Sequence, residues 1–437
     1  MATIIKKRVL IITYYWPPSG GAGVQRWLKH AKYLPEFDWE PIIFTAADAH
    51  YPVLDESLQK DIAPNLTVLK GEIWEPYEWY KRAVGMKKGE KVQPGFIDEK
   101  KKPTFIEDLA IWIRGNFFIP DARKFWIKPS VKYLTTYIKE NKIDLVVSTG
   151  PPHTTHIIAR NVKRKINIKW IADFRDPWTK IDFYHHLKLS KWADRQHRAM
   201  EQSVLLEADD IVAAGWGYAK GLETLGAKKV KVITNGYDES DFQLEKVSLT
   251  KKFTLSHIGS LNKDRNPQQL WKALQELCQE YESFKQNLEI RLIGKTDIKA
   301  LEDIEMAGLA NNLNKIAYIP HQEVINHTST SQVLLLIINR IPTASAMLPG
   351  KVFEYLAAQR PIISIGPSRG DAAKIIRNAN AGVTIDFEDT TKMKSVILDY
   401  FQRYQNKKLD LKDSDIAAYS RRNLAQQMSN IFNNVIT

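Results

Sequence analysis

Short apolar runs alternate with amphipathic stretches along nearly the whole chain, and the alternation starts twice. In the first half "RVLIITY", "PIIFTA", "DLVVSTG", "KWIADF", "DIVAAG" and "VKVITNG" read as buried strands, most of them followed by helical spacing. The pattern lapses in the polar "DESDFQLEKVSLTKK" and restarts with "FTLSHIGS", "LEIRLIG", "KIAYIP", "QVLLLII", "PIISIG" and "GVTI". Strands that alternate with helices in this way build parallel sheets covered on both faces. The expectation is an α/β chain of two Rossmann-like domains, residues 1–244 and 245–412, with a closing helix over 413–437 that packs back on the first domain. Ligands of such sheets bind beyond the carboxyl ends of the strands, so two facing sheets make a cleft and the residues just after each strand are the ones to inspect.

A chain of 437 residues is long enough for two such cores. Its 44% hydrophobic and 26% charged residues suit a folded globular protein rather than a disordered one. Cys278 is the only cysteine, which excludes intrachain disulfides, and its place on an apolar helix face argues against a nucleophile. The basic then apolar start imitates a signal peptide, but Thr13, Tyr14 and Tyr15 interrupt it, so it reads as the first strand and the expected location is the cytoplasm. No apolar run approaches the length of a membrane span. A formal net charge of +13 points to an anionic partner.

Several strand ends carry chemistry. "YYWPPSGGAGVQRW" places Gly20, Gly21 and Gly23 between a strand and a helix start, where a ligand can approach main-chain N–H groups. In "HIGSLNKDRNPQQL", Gly259 ends a strand and Lys263 and Arg265 follow; in "LIGK", Gly294 and Lys295 do the same. "PGKVFEYL" sets Gly350 and Lys351 at a helix start with Glu354 in the first turn, where a carboxylate either caps the helix or accepts bonds from two ribose hydroxyls. "DFRDPW" holds Asp173, Arg175 and Asp176 just after a strand; the aspartates either orient an acceptor hydroxyl or cap the next helix and pair with Arg175. His153 and His156 in "PPHTTH" lack the spacing and neighbours of a metal pair, and an acceptor-site or capping role for His153 fits better.

Taken in order, "GSLNKDRNPQQLWKAL", "IRLIGK", "AYIPHQEVINHTSTSQVLLLI" and "PGKVFEYLAAQRPII" resemble the nucleotide-sugar domain of GT-B glycosyltransferases, above all the retaining family 4 enzymes. The Gly-rich loop, "STGPPHTTH", "IADFRDPW" and "ITNGYD" are similar to signatures of their N-terminal half. The resemblance implies a glycosyltransferase that needs no metal and no cofactor beyond its nucleotide-sugar substrate. It makes Glu354 the ribose-binding member of the E-x7-E pair and Arg265 the grip on the donor diphosphate. The first carboxylate of that pair is replaced by Ala346, and the basic residue usual directly after the strand-end glycine is replaced by Ser260. Glycines 20, 21 and 23 would give the donor's diphosphate and sugar room, Arg175 stands where many members carry a histidine near the sugar, and Asp173 and Asp176 would serve the acceptor.

One segment, residues 74–128, breaks the alternation by interleaving aromatic and basic residues, among them Trp74, Tyr77, Trp79, Lys87, Lys101, Trp112, Arg114, Lys124 and Trp126. The mixture suits an anionic membrane surface, where a lipid-linked glycan acceptor would wait, better than it suits nucleic acid; a locally packed insertion is the plain alternative. A sugar-nucleotide epimerase, a sugar-phosphate synthase and a non-catalytic binding protein are the rival functions.

Overall fold

The computed structural model describes residues 6–51, 53–75, 105–182, 184–242, 248–317, 319, 321–411 and 414–437. Part of the aromatic and basic segment, including Tyr77, Trp79, Tyr80 and the basic residues from Lys81 to Lys102, lies outside these residues. The chain divides into two compact units, Met1–Thr234 with Arg422–Thr437, and Asn235–Arg421.

The first unit is built on β1 (Lys7–Ile12), β2 (Trp39–Ala46), β3 (Thr67–Gly71), β4 (Leu145–Gly150), β5 (Lys169–Phe174), β6 (Asp210–Ala213) and β7 (Val230–Val232). They form one sheet in the order β3-β2-β1-β4-β5-β6-β7 with every pairing parallel. Parallel strands are covered on both faces, which is why Val9 to Ile12 and Leu145 to Val147 are unbroken apolar runs and are wholly buried. Helices α1 (Ala22–Tyr33), α3 (Ile127–Glu140), α4 (Thr154–Ile166), α5 (Lys191–Glu207) and α6 (Trp216–Thr224) supply the cover, and α2 (Phe105–Phe117) packs outside them on α5. On α1 the buried Val24, Trp27, Leu28 and Ala31 recur at helical spacing and pack against Val9, Ile11 and Val147.

The second unit repeats the plan with β8 (Phe253–Ile258), β9 (Leu288–Ile293), β10 (Leu313–Ile316), β11 (Val333–Ile337), β12 (Ile362–Ile365) and β13 (Gly382–Ile385). Their order is β10-β9-β8-β11-β12-β13, again all parallel. Its helices are α7 (Gln268–Glu280), α8 (Glu282–Asn287), α9 (Ile298–Met306), α10 (His321–Thr330), α11 (Lys351–Ala357), α12 (Asp371–Asn378) and α13 (Thr390–Gln405). Cys278 on α7 packs beside the core of this unit, and burial pushes its thiol up to about 11, so it stays protonated.

In both sheets the strand order reverses beside the first strand, between β1 and β4 and between β8 and β11. Neighbouring connections leave the sheet there toward opposite faces and open a crevice at the carboxyl ends. The last helix, α14 (Arg421–Ile436), belongs from Arg422 on to the first unit. Leu424, Met428, Ile431 and Phe432 line one side of it and enter the core formed by α1 and β1, with the Phe432 ring edge-on to Trp39 at 5.1 Å. Each such large apolar side chain contributes about 1.5–3 kcal/mol on burial.

Candidate functional site

At the reversal in the first sheet, Arg175 follows β5 and turns back across the crevice. Its guanidinium donates to the carbonyls of Gly23 at 2.5 Å, Gly150 at 3.3 Å and Pro151, tying the loops after β1, β4 and β5 together. A Cβ on Gly23 would lie 2.3 Å from Arg175 Nη1, and one on Gly20 3.1 Å from Val53 Cγ1 and Asp55 Cβ. Gly21 has open space around it but a φ of 97°, a conformation that suits glycine. The space at Gly20 and Gly23, expected for the donor, is therefore taken by the protein's own Arg175 and the Val53–Asp55 segment.

Asp173 corrects the expectation in the same way. Its side chain is wholly buried and accepts from Arg26 Nη2 at 2.8 Å and Nε at 3.1 Å, Trp27 Nε1 at 2.7 Å and Thr149 Oγ1 at 2.8 Å. Burial raises its pKa, but the Arg26 charge and these four bonds outweigh that and hold the carboxyl below the ordinary aspartate value. Saturated by donors inside the domain, Asp173 anchors α1 to β5 and has no reach to an acceptor hydroxyl.

Asp176 differs. It is only part-buried, has no hydrogen-bond partner among the described residues, and is pushed upward by burial, against which the Arg175 charge works. His153 stands at the start of α4, but the cap is made by Asp121, which accepts from Thr154 N at 2.9 Å and Thr154 Oγ1 at 2.8 Å. The His153 ring lies flat on Trp178, centroids 4.5 Å apart and planes 2° from parallel, with Nδ1 buried and unpartnered. Burial, then the neighbouring His156 and Arg175, lower its pKa far enough to keep it neutral. His156 holds Ser148 Oγ at 2.8 Å and is lowered to about 3 by burial, which makes it a core residue. Among the described residues no three His, Cys, Asp or Glu side chains converge as metal ligands would.

At the reversal in the second sheet, Arg265 lies in the turn after β8. Nε donates to Asn339 Oδ1, just beyond β11, and Nη1 to Ser260 O at 3.1 Å, so the side chain bridges the two strands that flank the crevice. It makes no ion pair among the described residues, and burial lowers its pKa. Helix α11 is fixed over the same two strands by Tyr355, whose hydroxyl accepts from Ile258 N at 3.1 Å and donates to Leu335 O at 3.4 Å. One turn earlier on that face, Lys351 Nζ donates to Ile258 O at 2.7 Å. Gly350 caps this helix and Glu354 sits part-buried in its first turn. Gly259 and Gly294, at φ 114° and 115°, end adjacent strands, and a Cβ on Gly294 would lie 3.0 Å from Gly259 O. Lys263 and Lys295 follow those strand ends and are engaged with partners of their own.

Residues 239–413 match the family described as Glycosyl transferases group 1. Across the whole length the chain is similar to a glycosyltransferase from Rickettsia africae, at 14% identity and a TM-score of 0.61 with 99% of each chain covered. Anabaena Alr3699/HepE, solved in complex with UDP, superposes with a TM-score of 0.61 at 12% identity, over 98% of this chain and 100% of that one. The apo lipopolysaccharide outer core galactosyltransferase WaaB does so at 0.55 and 12%, over 98% and 99%. None of the curated proteins matches in sequence. The fold is that of GT-B glycosyltransferases, and the second half of the chain matches the group 1 family.

On this fold the structure brings Gly259, Arg265, Gly294, Lys351 and Glu354 to one end of one sheet, and Gly23, His153, Arg175 and Asp176 to the corresponding end of the other. Asn339, which holds Arg265, and Tyr355, which sets the rotation of α11, escape a reading of motifs. Only their register against β8 reveals them, and that register depends on pairing between distant strands.

Proposed function

We propose that the protein is a glycosyltransferase that moves a sugar from a nucleotide-sugar donor to a hydroxyl of a glycan or lipid-linked glycan, with retention at the anomeric carbon, after the manner of family 4. The observation that carries the reading is Arg265. It is a part-buried cation without an ion pair among the described residues, held across the reversal between β8 and β11, where α/β sheets bind ligands. A nucleoside diphosphate, the kind of molecule bound in the Anabaena structure, supplies the missing negative charge. As the bond from the anomeric carbon to the diphosphate breaks, charge grows on the leaving oxygen, and a preorganised guanidinium stabilises it. The acceptor oxygen bonds to the face being vacated, and its proton passes to the departing phosphate oxygen.

Asp176 serves the acceptor side from the first unit, as a hydrogen-bond partner for the hydroxyl, while the neutral His153 ring follows the adjacent strand β4. The test is turnover with a panel of nucleotide sugars. Asp176→Asn is expected to lower kcat at least tenfold and to leave nucleoside diphosphate affinity within twofold of wild type. Loss of nucleotide affinity in that variant would move Asp176 to the donor side, and absence of transfer or donor hydrolysis with every sugar would overturn the function.

A membrane-linked acceptor is supported by the described part of the aromatic and basic segment. Leu109, Trp112, Arg114 and Phe117 on α2 are exposed, as are Trp74 and Phe125, whose rings meet edge-on at 4.7 Å. Lys124 lies over the Phe118 and Phe125 rings at 5.6 and 5.2 Å. Among the described residues no helix is long and apolar enough to cross a membrane. Aromatic rings that carry cations at their rim suit the headgroup layer of an anionic bilayer. The protein is therefore expected to float with anionic liposomes at low salt and to be released as salt rises. Sedimentation without the vesicles at low salt would leave the segment as an acceptor platform or a packed insertion.

A further inference from the structure

A second cation, Lys351, which the sequence places at a helix start beside Glu354, comes to the strand end that Arg265 reaches. Family resemblance places a basic residue directly after the strand-end glycine, and here that residue is Ser260. The ammonium of Lys351 instead arrives from α11. It lies over the bare backbone of Gly259, where a Cβ would stand 2.5 Å from Nζ, and it spends one N–H on Ile258 O. Arg265 reaches the same strand end through Ser260 O. Neither cation makes an ion pair among the described residues. Two part-buried positive charges that act on each other are costly, and an anion bound by both removes the cost.

We propose that Lys351 is the second phosphate-binding cation of the donor site, delivered by α11 onto Gly259 in place of a basic side chain at residue 260. The proposal rests on the nucleotide-binding reading given above. An ammonium has three N–H donors, so two remain for phosphate oxygens. The bareness of Gly259 is then required by Lys351 as well as by its own φ.

The arrangement has a signature that a merely structural lysine lacks. Burial, followed by the Arg265 charge and offset in part by Glu354, lowers Lys351 to about 7. The other groups near it add no compensating charge: His257 on β8 is lowered to about 3 by burial and is neutral, while Asp264 acts on Arg265. With the site empty, Lys351 is largely neutral above about pH 7, and a bound diphosphate restores its proton. Affinity should therefore fall as pH rises above neutral, by up to about tenfold per unit. The terminal phosphate of a nucleoside diphosphate ionises near pH 6, so with UDP, ADP and GDP the slope above neutrality does not come from the ligand.

Calorimetry on the full chain with UDP, ADP, GDP and inorganic pyrophosphate, in buffers of differing ionisation enthalpy, tests this. Wild type is expected to take up a fraction of a proton per ligand at neutral pH. Lys351→Met should bind at least tenfold more weakly at that pH and lose both the uptake and the slope. Lys351→Arg should regain affinity without the slope, since a guanidinium stays charged. Lys351→Met binding within twofold of wild type, with the slope retained, overturns the proposal and leaves the nucleotide reading intact. Failure of wild type to bind any of the four overturns both. Should Lys351→Met not fold, wild type still decides: an affinity flat from neutral to alkaline pH overturns the proposal.

Discussion

Replacing Asp173 by Asn is expected to destabilise the first unit by about 3–5 kcal/mol, the usual result of breaking a buried ion pair from one side. The change leaves Arg26 charged, wholly buried and facing an amide in place of a carboxylate. The loss compares with a total domain stability of about 5–15 kcal/mol, so the unfolding midpoint in urea should drop visibly. A double variant, Arg26→Met with Asp173→Leu, should recover part of that loss, because replacing both members of a buried pair with apolar groups removes the stranded charge. The pH dependence has a definite sign. Because the folded-state pKa of Asp173 is depressed, its contribution is fully present above the unfolded value of about 3.9 and is lost as pH falls through the folded value. A variant of wild-type stability with abolished turnover would return Asp173 to the chemistry.

Much of the fold is legible in the sequence because parallel strands are buried on both faces and so stand out as apolar runs. Five of the six strands of the second sheet and six of the seven in the first are visible that way. The exceptions, β3 ("TVLKG") and β10 ("LNKI"), sit at sheet edges and bury no residue fully, so β3 reads like loop and the expected strand "KIAYIP" overlaps β10 only at Lys315 and Ile316. The site is legible at strand ends, where Gly259, Arg265 and Glu354 sit in motifs whose order constrains them. It is least legible where two distant segments meet. Nothing near Gly23 announces that the guanidinium of Arg175 fills its empty side, and nothing near Asp173 announces Arg26. A glycine before a helix looks the same whether a ligand or a side chain approaches it. Likewise, an aspartate after a strand looks the same whether it faces solvent or an arginine beneath the sheet.

Glu354→Ala and Arg265→Ala are each expected to weaken binding of the nucleoside diphosphate alone by roughly ten- to a hundredfold. That corresponds to about 1.5–3 kcal/mol for a hydrogen bond to a charged group. Arg265 is part-buried and aimed by Asn339 and Ser260 O, so its deletion removes a charge whose orientation was already fixed before the ligand arrived. Glu354 shares α11 with Lys351 and Tyr355, and the anchor made by Tyr355 between β8 and β11 sets the rotation of all three. The same helix therefore brings a cation to the strand end and a carboxylate one turn's width away, the pairing that suits a phosphate joined to a ribose. Ala346 lies in the turn Ala344–Ala346 before the helix, and its N–H is already spent on Thr343 O at 2.9 Å. Ala346→Glu should accordingly change affinity for the complete nucleotide sugar and leave the nucleoside diphosphate alone unaffected, a contrast that titration with both ligands resolves. If Glu354→Ala holds nucleoside diphosphate as tightly as wild type, the carboxylate serves only the start of α11, and ribose must be held by the main chain at the ends of β9 and β10.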